Sequence, residues 1–197
     1  MTDDGVVAAR PIHGAAEVQP VYQPLDTDSI PEFHAARLLL LLWTCGSGSP
    51  RRISGRTKLA KLDFFLRYPS FLERALAATG NAAAGRDLDR NPEPEAPMIR
   101  YRYGPWDPRY RSFLALLESR GLVQISGTRV DQIALTTSGG RLARQLAERS
   151  EFSGLGQRGR VLGAAFGAWT GTSLKDLIYE LFPEQVGERA MGERIQP

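Results

Sequence analysis

The chain has 197 residues, 42% of them hydrophobic and 24% charged, and a formal net charge of +3. Its longest strongly apolar run, residues 38–43, is far shorter than the roughly 20 residues of a membrane span, and the acidic start Met1-Thr2-Asp3-Asp4 lacks the apolar stretch of a signal peptide. The single cysteine, Cys45, excludes an internal disulfide and a cysteine-rich zinc site, so we expect a cytoplasmic globular protein, one domain with an appendage and no membrane segment.

The first predicted helix follows an acidic segment. Residues 1–29 contain prolines and several acidic residues against a lone arginine, which predicts a disordered acidic tail. Ser29-Ile30-Pro31-Glu32 is typical of a helix start, with Ser29 as the cap and Pro31 in the first turn. The helix should run to Trp43 and is apolar on nearly all sides, which favours deep burial.

Two further helices follow the break at residues 46–50. One starts near Gly55, and its leucines at 59, 62 and 66 indicate a core face, with Lys58 and Lys61 on the opposite side. A bend at Tyr68-Pro69 leads into a short helical pattern over 71–78. Residues 79–97 are rich in Gly, Asn, Pro and Asp and predict a surface loop.

The central part of the chain predicts a strand, a helix and a hairpin. Residues 98–103 suit a strand, and Gly104-Pro105-Trp106 suits a turn. Asp107 then caps a helix over 107–120 that ends at Gly121. Strands follow at 122–125 and 130–135, joined by a turn at Ser126-Gly127-Thr128. Residues 135–140 then lead into another helix, which contains Leu142, Ala143 and Leu146.

The C-terminal part predicts two amphipathic helices within 157–182, with a break at Gly171, and then a polar tail over 183–197. The whole order predicts a mainly α fold with a small β-hairpin: a winged-helix core over 30–150 and a C-terminal helical extension over 151–197.

No set of residues suits catalysis or metal binding. His13 lies in the acidic tail and His34 in the first helix, where a hydrogen-bonded residue at the edge of the core is the simpler interpretation. The loop at residues 46–52 lacks the Gly-Lys-Ser/Thr ending of a phosphate loop, and Cys45 suits a small buried thiol. We therefore expect a protein that is not an enzyme and needs no cofactor or metal.

Arginine dominates the positive charge of the chain. Only Lys58, Lys61 and Lys175 are lysines among the 25 basic residues. Arginine suits phosphate recognition, although a genome-wide coding bias explains the excess equally well. The position of the basic residues is therefore more informative than their number.

The basic residues concentrate in a few segments that could hold DNA phosphates or a protein partner. On a winged-helix frame the helix at 107–120 would enter the major groove, and Arg129 would lie at the tip of the wing. The predicted DNA or partner contacts are Arg51, Arg52, Arg56, Lys58, Lys61, Arg100, Arg102, Arg109, Arg111 and Arg129.

Sequence-specific DNA reading is poorly supported. The helix at 107–120 has no Asn or Gln, the residues that pair with adenine, and Glu118 would face phosphate badly. Trp106 and Tyr110 suit a protein interface. The sequence fits nonspecific contact with double-stranded DNA and pure protein contact equally well.

Three segments carry a family resemblance: residues 55–69 (GRTKLAKLDFFLRYP), 100–107 (RYRYGPWD) and 174–183 (LKDLIYELFP). Together they resemble the middle component of ABC-three-component bacterial antiphage systems, similar to the small subunit of Lamassu-type systems. The resemblance covers roughly residues 30–183.

The resemblance implies a noncatalytic accessory subunit that bridges an ABC- or SMC-type ATPase and an effector encoded nearby. The residues that match the family's recurring blocks add Lys175 and Tyr179 to Trp106 and Tyr110 as predicted partner contacts. The alternative hypothesis is a free-standing winged-helix transcription regulator, which would be a symmetric dimer with specific DNA binding.

Overall fold

The computed structural model describes residues 27–86, 88 and 97–195, so most of the predicted acidic tail and part of the 79–97 loop lie outside the described residues. The helices are α1 (Pro31–Cys45), α2 (Arg56–Arg67), α3 (Pro69–Ala78), α4 (Tyr110–Ser119), α5 (Thr137–Ala147), α6 (Ser153–Phe166) and α7 (Gly171–Leu181). The strands are β1 (Arg52–Ser54), β2 (Ile99–Tyr101), β3 (Gly104–Trp106), β4 (Val123–Ser126) and β5 (Gln132–Leu135). The prediction of a mainly helical protein with a small antiparallel hairpin is confirmed.

Helix α1 is the centre of the core. Its leucines at positions 38–42 are at most 1% exposed, as its apolar pattern predicts, and it contacts α4, α5 and α6. The expected serine cap is wrong, because Ser29 belongs to a preceding 3-10 turn and Ile30 occupies the cap position without a side-chain hydrogen bond. Pro31 does begin the helix, where its missing N–H costs nothing.

A three-stranded antiparallel sheet with strand order β1-β5-β4 closes one side of the core. Ile53 on β1 pairs with Ile133 on β5, and both side chains are buried. Strand β1 was not expected from the sequence, because three residues are too few to show an alternating pattern. It forms by pairing across the fold, and the N–H of Leu135 donates to the carbonyl of Arg51 beside it at 2.9 Å.

The turn expected at 104–106 is a strand. Tyr101 pairs with Gly104 and Ile99 with Trp106, so β2 and β3 form a second hairpin whose tip is Arg102-Tyr103. The expected cap at Asp107 is also wrong, because α4 begins at Tyr110, after Arg109 in the cap position. The Asp107 carboxylate instead accepts a hydrogen bond from the backbone N–H of Arg109 at 2.9 Å.

The C-terminal helices complete the core. Helix α6 begins at Ser153, earlier than the expected 157, and α7 begins at Gly171 with Thr170 accepting a hydrogen bond from the N–H of Ser173 at 3.0 Å. Helix α6 packs on α1 and α2, and α7 packs on α2.

The polar tail expected at 183–197 packs against the rest of the protein over its described part, residues 183–195. The N–H of Ile195 donates to the Met98 carbonyl at 2.7 Å, and the side chains of Val186 and Ile195 are fully buried. Two buried aliphatic residues in an otherwise polar segment were too weak a pattern to predict this attachment.

Candidate nucleic-acid interface

The basic residues expected to contact DNA do not form one surface. Arg51, Arg52, Arg102, Arg111 and Arg129 are exposed, on separate loops and element ends. Arg56 pairs with Asp131 across 2.7 Å, between α2 and the end of the β4–β5 turn. The Nε of Arg100 donates to the carbonyl of Val186 at 3.0 Å, which fixes that side chain against the C-terminal segment.

Lys58 and Lys61 do not present a free basic face. The ammonium of Lys58 donates to the Gly167 carbonyl at 2.8 Å, and burial lowers its pKa. Lys61 is only 3% exposed, and its ammonium donates to the carbonyl of Thr57 at 3.1 Å. Burial, together with the charge of Lys175, lowers the pKa of Lys61 to about 8. Lys61 therefore offers almost no surface to a DNA phosphate, whereas Lys58 is half-buried with its ammonium already hydrogen-bonded.

Arg109 serves a buried charge cluster rather than an open surface. Its Nε donates to Asp107 Oδ1 and its Nη2 to Asp107 Oδ2, each at 3.0 Å, and Nη2 also lies 3.1 Å from Asp28 Oδ1. Arg67 donates to Asp107 Oδ2 from the other side at 3.0 Å. Burial alone would raise the pKa of Asp107, but the hydrogen bonds from Arg109 and the charges of both arginines lower it to about 2.

Tyr110, expected as a partner contact, is fully buried and belongs to a second charge cluster, which also contains Arg37, Asp63 and His34. Its hydroxyl donates to Asp63 Oδ2 at 2.7 Å, and burial beside that carboxylate raises its pKa well above 10.0. Arg37 forms a bidentate ion pair with Asp63, with N–O distances of 2.9 and 3.2 Å. Tyr110 thus positions α4 against α2 and is out of reach of a partner.

His34 completes this cluster at the edge of the core, in agreement with the sequence interpretation. Its Nδ1 lies 2.8 Å from Nη1 of Arg37, which can only donate, so the hydrogen-bond pattern assigns the ring proton to Nε2. Nε2 then donates to the carbonyl of Asp28 at 2.9 Å. The histidine is therefore committed to structural hydrogen bonds.

The strongest candidate for a nucleic-acid contact is an open groove of about 770 Å³, which we call the arginine groove. It lies between the loop after α1, the exposed ends of β4 and β5, and the first turns of α5. The residues that give it its character are Trp43, Arg51, Gln124, Thr137, Arg141 and Arg144. Among the described residues none that lines it is acidic.

One arginine of the groove, Arg51, is held in place without being neutralised. The Arg51 guanidinium lies 5.1 Å from the centroid of the Trp43 ring, and its Nη1 donates to the Gly46 carbonyl at 3.4 Å. Within the described part of the chain, Arg51, Arg141 and Arg144 form no ion pair. Arg52 is close by: its guanidinium carbon lies 3.7 Å from the point that a Cβ on Gly48 would occupy at the rim of the groove. Such an arrangement can bind successive phosphates.

Sequence reasoning placed Arg51 and Arg52 among the contacts but missed Arg141 and Arg144. These two lie three residues apart on the exposed side of α5, which brings them together on one face of a helix. That spacing was a usable signal. What the sequence alone could not show is that α5 packs beside Trp43 and so brings this face to Arg51.

One of the remaining predicted partner contacts, Trp106, lines a second, smaller cavity of about 190 Å³ beside the β2–β3 hairpin, which we call the aromatic pocket. Trp106, Tyr101 and Tyr103 line it, and Lys61 lies in its wall. Tyr179 and Lys175 are half-buried on the neighbouring α7, where the Lys175 ammonium lies 3.2 Å from Asp176 Oδ1. Trp106 and Tyr101 lie with ring centroids 6.0 Å apart.

The described residues contain no group of three or more His, Cys, Asp or Glu side chains that could hold a metal ion. Burial raises the pKa of the Cys45 thiol to about 12, so it stays protonated at neutral pH.

No helix within the described ranges combines the length and apolarity needed to cross a membrane.

Comparison with known proteins adds no relative: no protein-family model, no curated protein and no solved structure matches the chain.

Proposed function

We propose that this chain is a cytoplasmic, noncatalytic winged-helix subunit of a bacterial antiphage defence complex. In that complex it bridges an ABC- or SMC-type ATPase and an effector, and it holds double-stranded DNA nonspecifically through phosphate contacts. It acts without a cofactor or metal of its own.

The order of elements supports the winged-helix assignment. Leaving out α3 and the β2–β3 hairpin, the chain runs α1, β1, α2, α4, β4, β5, and the sheet order β1-β5-β4 lays the last strand between the other two. This order supports a winged helix, in which α4 would take the place of the recognition helix and the β4–β5 turn would be the wing. On this view α3 and the second hairpin are an insertion between the second and third helices.

The observation that carries the DNA-binding part is the arginine groove. Three guanidinium groups face one open groove without a carboxylate among its described lining residues, and Arg52 adds a fourth close to its rim. Positive charges without ion pairs gain most from phosphate, because no existing ion pair has to be broken. Arginine forks bind phosphate oxygens in pairs whatever the base sequence.

The exposed side of α4 supports nonspecific rather than specific contact. It presents Arg111, Ser112 and Glu118, and a Glu118 carboxylate oxygen already accepts the backbone N–H of Ile125 at 3.1 Å. Direct base reading would need side chains such as Asn or Gln, which α4 lacks.

The bridging role has its support in the three segments that carry the family resemblance. They correspond to α2, the β2–β3 hairpin and α7, which contact one another in the fold. Segments far apart in sequence thus contribute to one continuous region. A shared partner-binding region would require such proximity.

Co-purification tests the bridging role. We expect the tagged chain, expressed with the products of its neighbouring genes, to retain an ABC- or SMC-type ATPase and the effector through a salt wash. A chain that stays alone when all neighbouring products are present contradicts the proposal.

The transcription-regulator alternative makes a different prediction, favoured by the exposed Arg111 and Arg129 on α4 and the wing. It requires a symmetric dimer and at least 10³-fold preference for one duplex sequence. A monomer that binds unrelated duplexes with equal affinity rejects it.

A further inference from the structure

The rim of the aromatic pocket consists of exposed aromatic side chains, which a monomeric protein usually buries. Tyr101 is 49% exposed and Tyr103 is 56% exposed, although the hairpin they belong to also contains the buried Gly104 and Pro105. Trp106 forms the inner wall and is held there by an edge-on contact with the buried Tyr110 ring at 5.1 Å. The pocket therefore has a rigid base and an aromatic rim.

The size and polarity of the pocket define what can enter it. A cavity of about 190 Å³ accommodates a single side chain, and almost no polar surface faces it. A nucleobase inserted there would bury the donors and acceptors of its edge without partners, which is unfavourable. An apolar ring or a branched aliphatic side chain leaves no polar group unsatisfied and packs against aromatic faces.

The charges next to the pocket define what should flank that side chain. The Lys61 ammonium is buried in the wall, and among the described residues it has no acidic partner. Lys175 is close enough to act on it electrostatically, and Arg102 is exposed at the hairpin tip. Asp176 already pairs with Lys175, whereas Arg102 forms no ion pair within the described ranges. Carboxylates brought beside the pocket would supply a countercharge to Arg102.

We infer that the aromatic pocket binds a segment of a partner protein in which one phenylalanine or leucine side chain is flanked by acidic residues. The apolar side chain enters between Tyr103 and Trp106, and the flanking carboxylates face the exposed Arg102 and the half-buried Lys175. This inference rests on the proposed role as a bridging subunit and adds the chemistry of the segment that is recognised.

Calorimetric titration with short peptides tests the inference on the full chain. The probes are acetylated and amidated pentapeptides Asp-Glu-X-Glu-Asp, with X as Phe, Leu or Gly, and a basic peptide Lys-Arg-Phe-Arg-Lys. We expect the Phe and Leu peptides to bind at least about tenfold more tightly than the Gly peptide, and the basic peptide to bind weakest.

Two variants separate the apolar and electrostatic contributions. Tyr103→Ala removes an exposed wall and should weaken binding of the Phe peptide about tenfold without unfolding the protein. Arg102→Gln removes the exposed charge at the hairpin tip and should weaken binding about fivefold. Arg144→Gln is the matched control, because it removes an exposed arginine that lines the arginine groove and not the pocket, and it should change affinity less than about twofold.

Several results would overturn the inference. They are equal binding of the acidic and basic peptides, equal binding of the Phe and Gly peptides, or no binding of any peptide at about millimolar concentration. Binding of oligothymidine that Tyr103→Ala abolishes would assign the pocket to a nucleobase instead. The co-purification experiment separates this inference from the proposed function: if wild type and Tyr103→Ala retain the ATPase and effector equally, only the pocket assignment fails.

Discussion

Buried charges link the first described residues of the chain to the helices of the core. Asp107 is bound by Arg67 on α2 and by Arg109 at the start of α4, and Arg109 continues to Asp28. A buried pair of this kind contributes little net stability compared with apolar packing, but removal of one partner leaves a costly unpaired charge. These pairs therefore fix where α4 and residue 28 lie.

Asp107→Asn tests the acid sensitivity that follows from this environment. Because the pKa of Asp107 falls from 3.8 to about 2 on folding, the ionised carboxylate stabilises the protein above pH 4 and loses that effect as the pH falls toward 2. We expect the free energy of unfolding of the variant at pH 7 to be about 2–4 kcal/mol lower than that of the wild type, as measured by urea titration. This difference between the two proteins should shrink as the pH falls from 4 to 2.

A surface carboxylate provides the control for this measurement. Asp176→Asn breaks only the exposed pair with Lys175 and should cost at most about 1 kcal/mol. A gap for Asp107→Asn that is independent of pH, or no larger than that of the control, would contradict the account of the cluster.

Lys61→Met tests a buried lysine whose contribution to stability changes at alkaline rather than acidic pH. Its pKa is about 8 in the folded protein and near 10.5 when unfolded, so the unfolded chain binds more protons between these values and the folded state gains stability as the pH rises. Relative to the variant, the wild type should gain about 1 kcal/mol of unfolding free energy from pH 8 to 9, as measured by urea titration. Parallel pH profiles of the two proteins would show that Lys61 is not desolvated.

At the scale of elements, α6 approaches α1 closely along a glycine face. A Cβ at Gly163 would overlap the Thr44 carbonyl, and one at Gly159 would press on the Thr44 side chain at 2.8 Å. The main chains of the two helices meet there with no space for a methyl group. This contact attaches the C-terminal helices to the core.

Gly163→Ala should therefore lower the free energy of unfolding by at least about 2 kcal/mol, despite the higher helix propensity of alanine. Gly140→Ala is the matched helical control, because its Cβ would meet only the Trp43 ring at an ordinary 3.8 Å. The control should be neutral or stabilising by up to about 1 kcal/mol. Equal effects in thermal or urea unfolding would contradict the close approach of α6.

Elements with a strong local pattern were predictable, and those formed by distant pairing were not. The apolar residues of α1 and α2 and the hairpin β4–β5 have their signals within a short window, so their positions agree with the structure to within a few residues. Strand β1 exists because β5 pairs with it, and Val186 and Ile195 are buried because the segment folds back on β2. Such contacts have no local sequence signature.

In the candidate site, too, local sequence predicts some features and the packing of distant elements decides the others. Arg51 and Arg52 stand out in the sequence as a basic pair, but their grouping with Arg141 and Arg144 depends on where α5 packs. Lys61 looks exposed from its position opposite the leucine face, yet the second hairpin and α7 cover it. The type of residue was predictable, whereas its access to a ligand was not.

At the scale of the whole molecule, two different faces can compete for DNA. One is the arginine groove, to which α4 contributes no residue, and the other is the exposed side of α4 with the β4–β5 turn, where Arg111 and Arg129 lie. Use of the groove would leave α4 and the aromatic pocket available to protein partners. The proposed bridging of DNA and larger subunits requires this division of faces.

The salt dependence of duplex binding tests this claim most directly. Binding of a duplex of arbitrary sequence is measured against salt concentration for the wild type, for Arg141→Gln with Arg144→Gln, and for Arg111→Gln with Arg129→Gln. The slope of log K against log salt decreases by about 0.9 for each phosphate contact that is lost. We predict a decrease of about two units for the groove variant and no change for the α4 variant. An unchanged slope for the groove variant, or a decrease for the α4 variant alone, would contradict the claim.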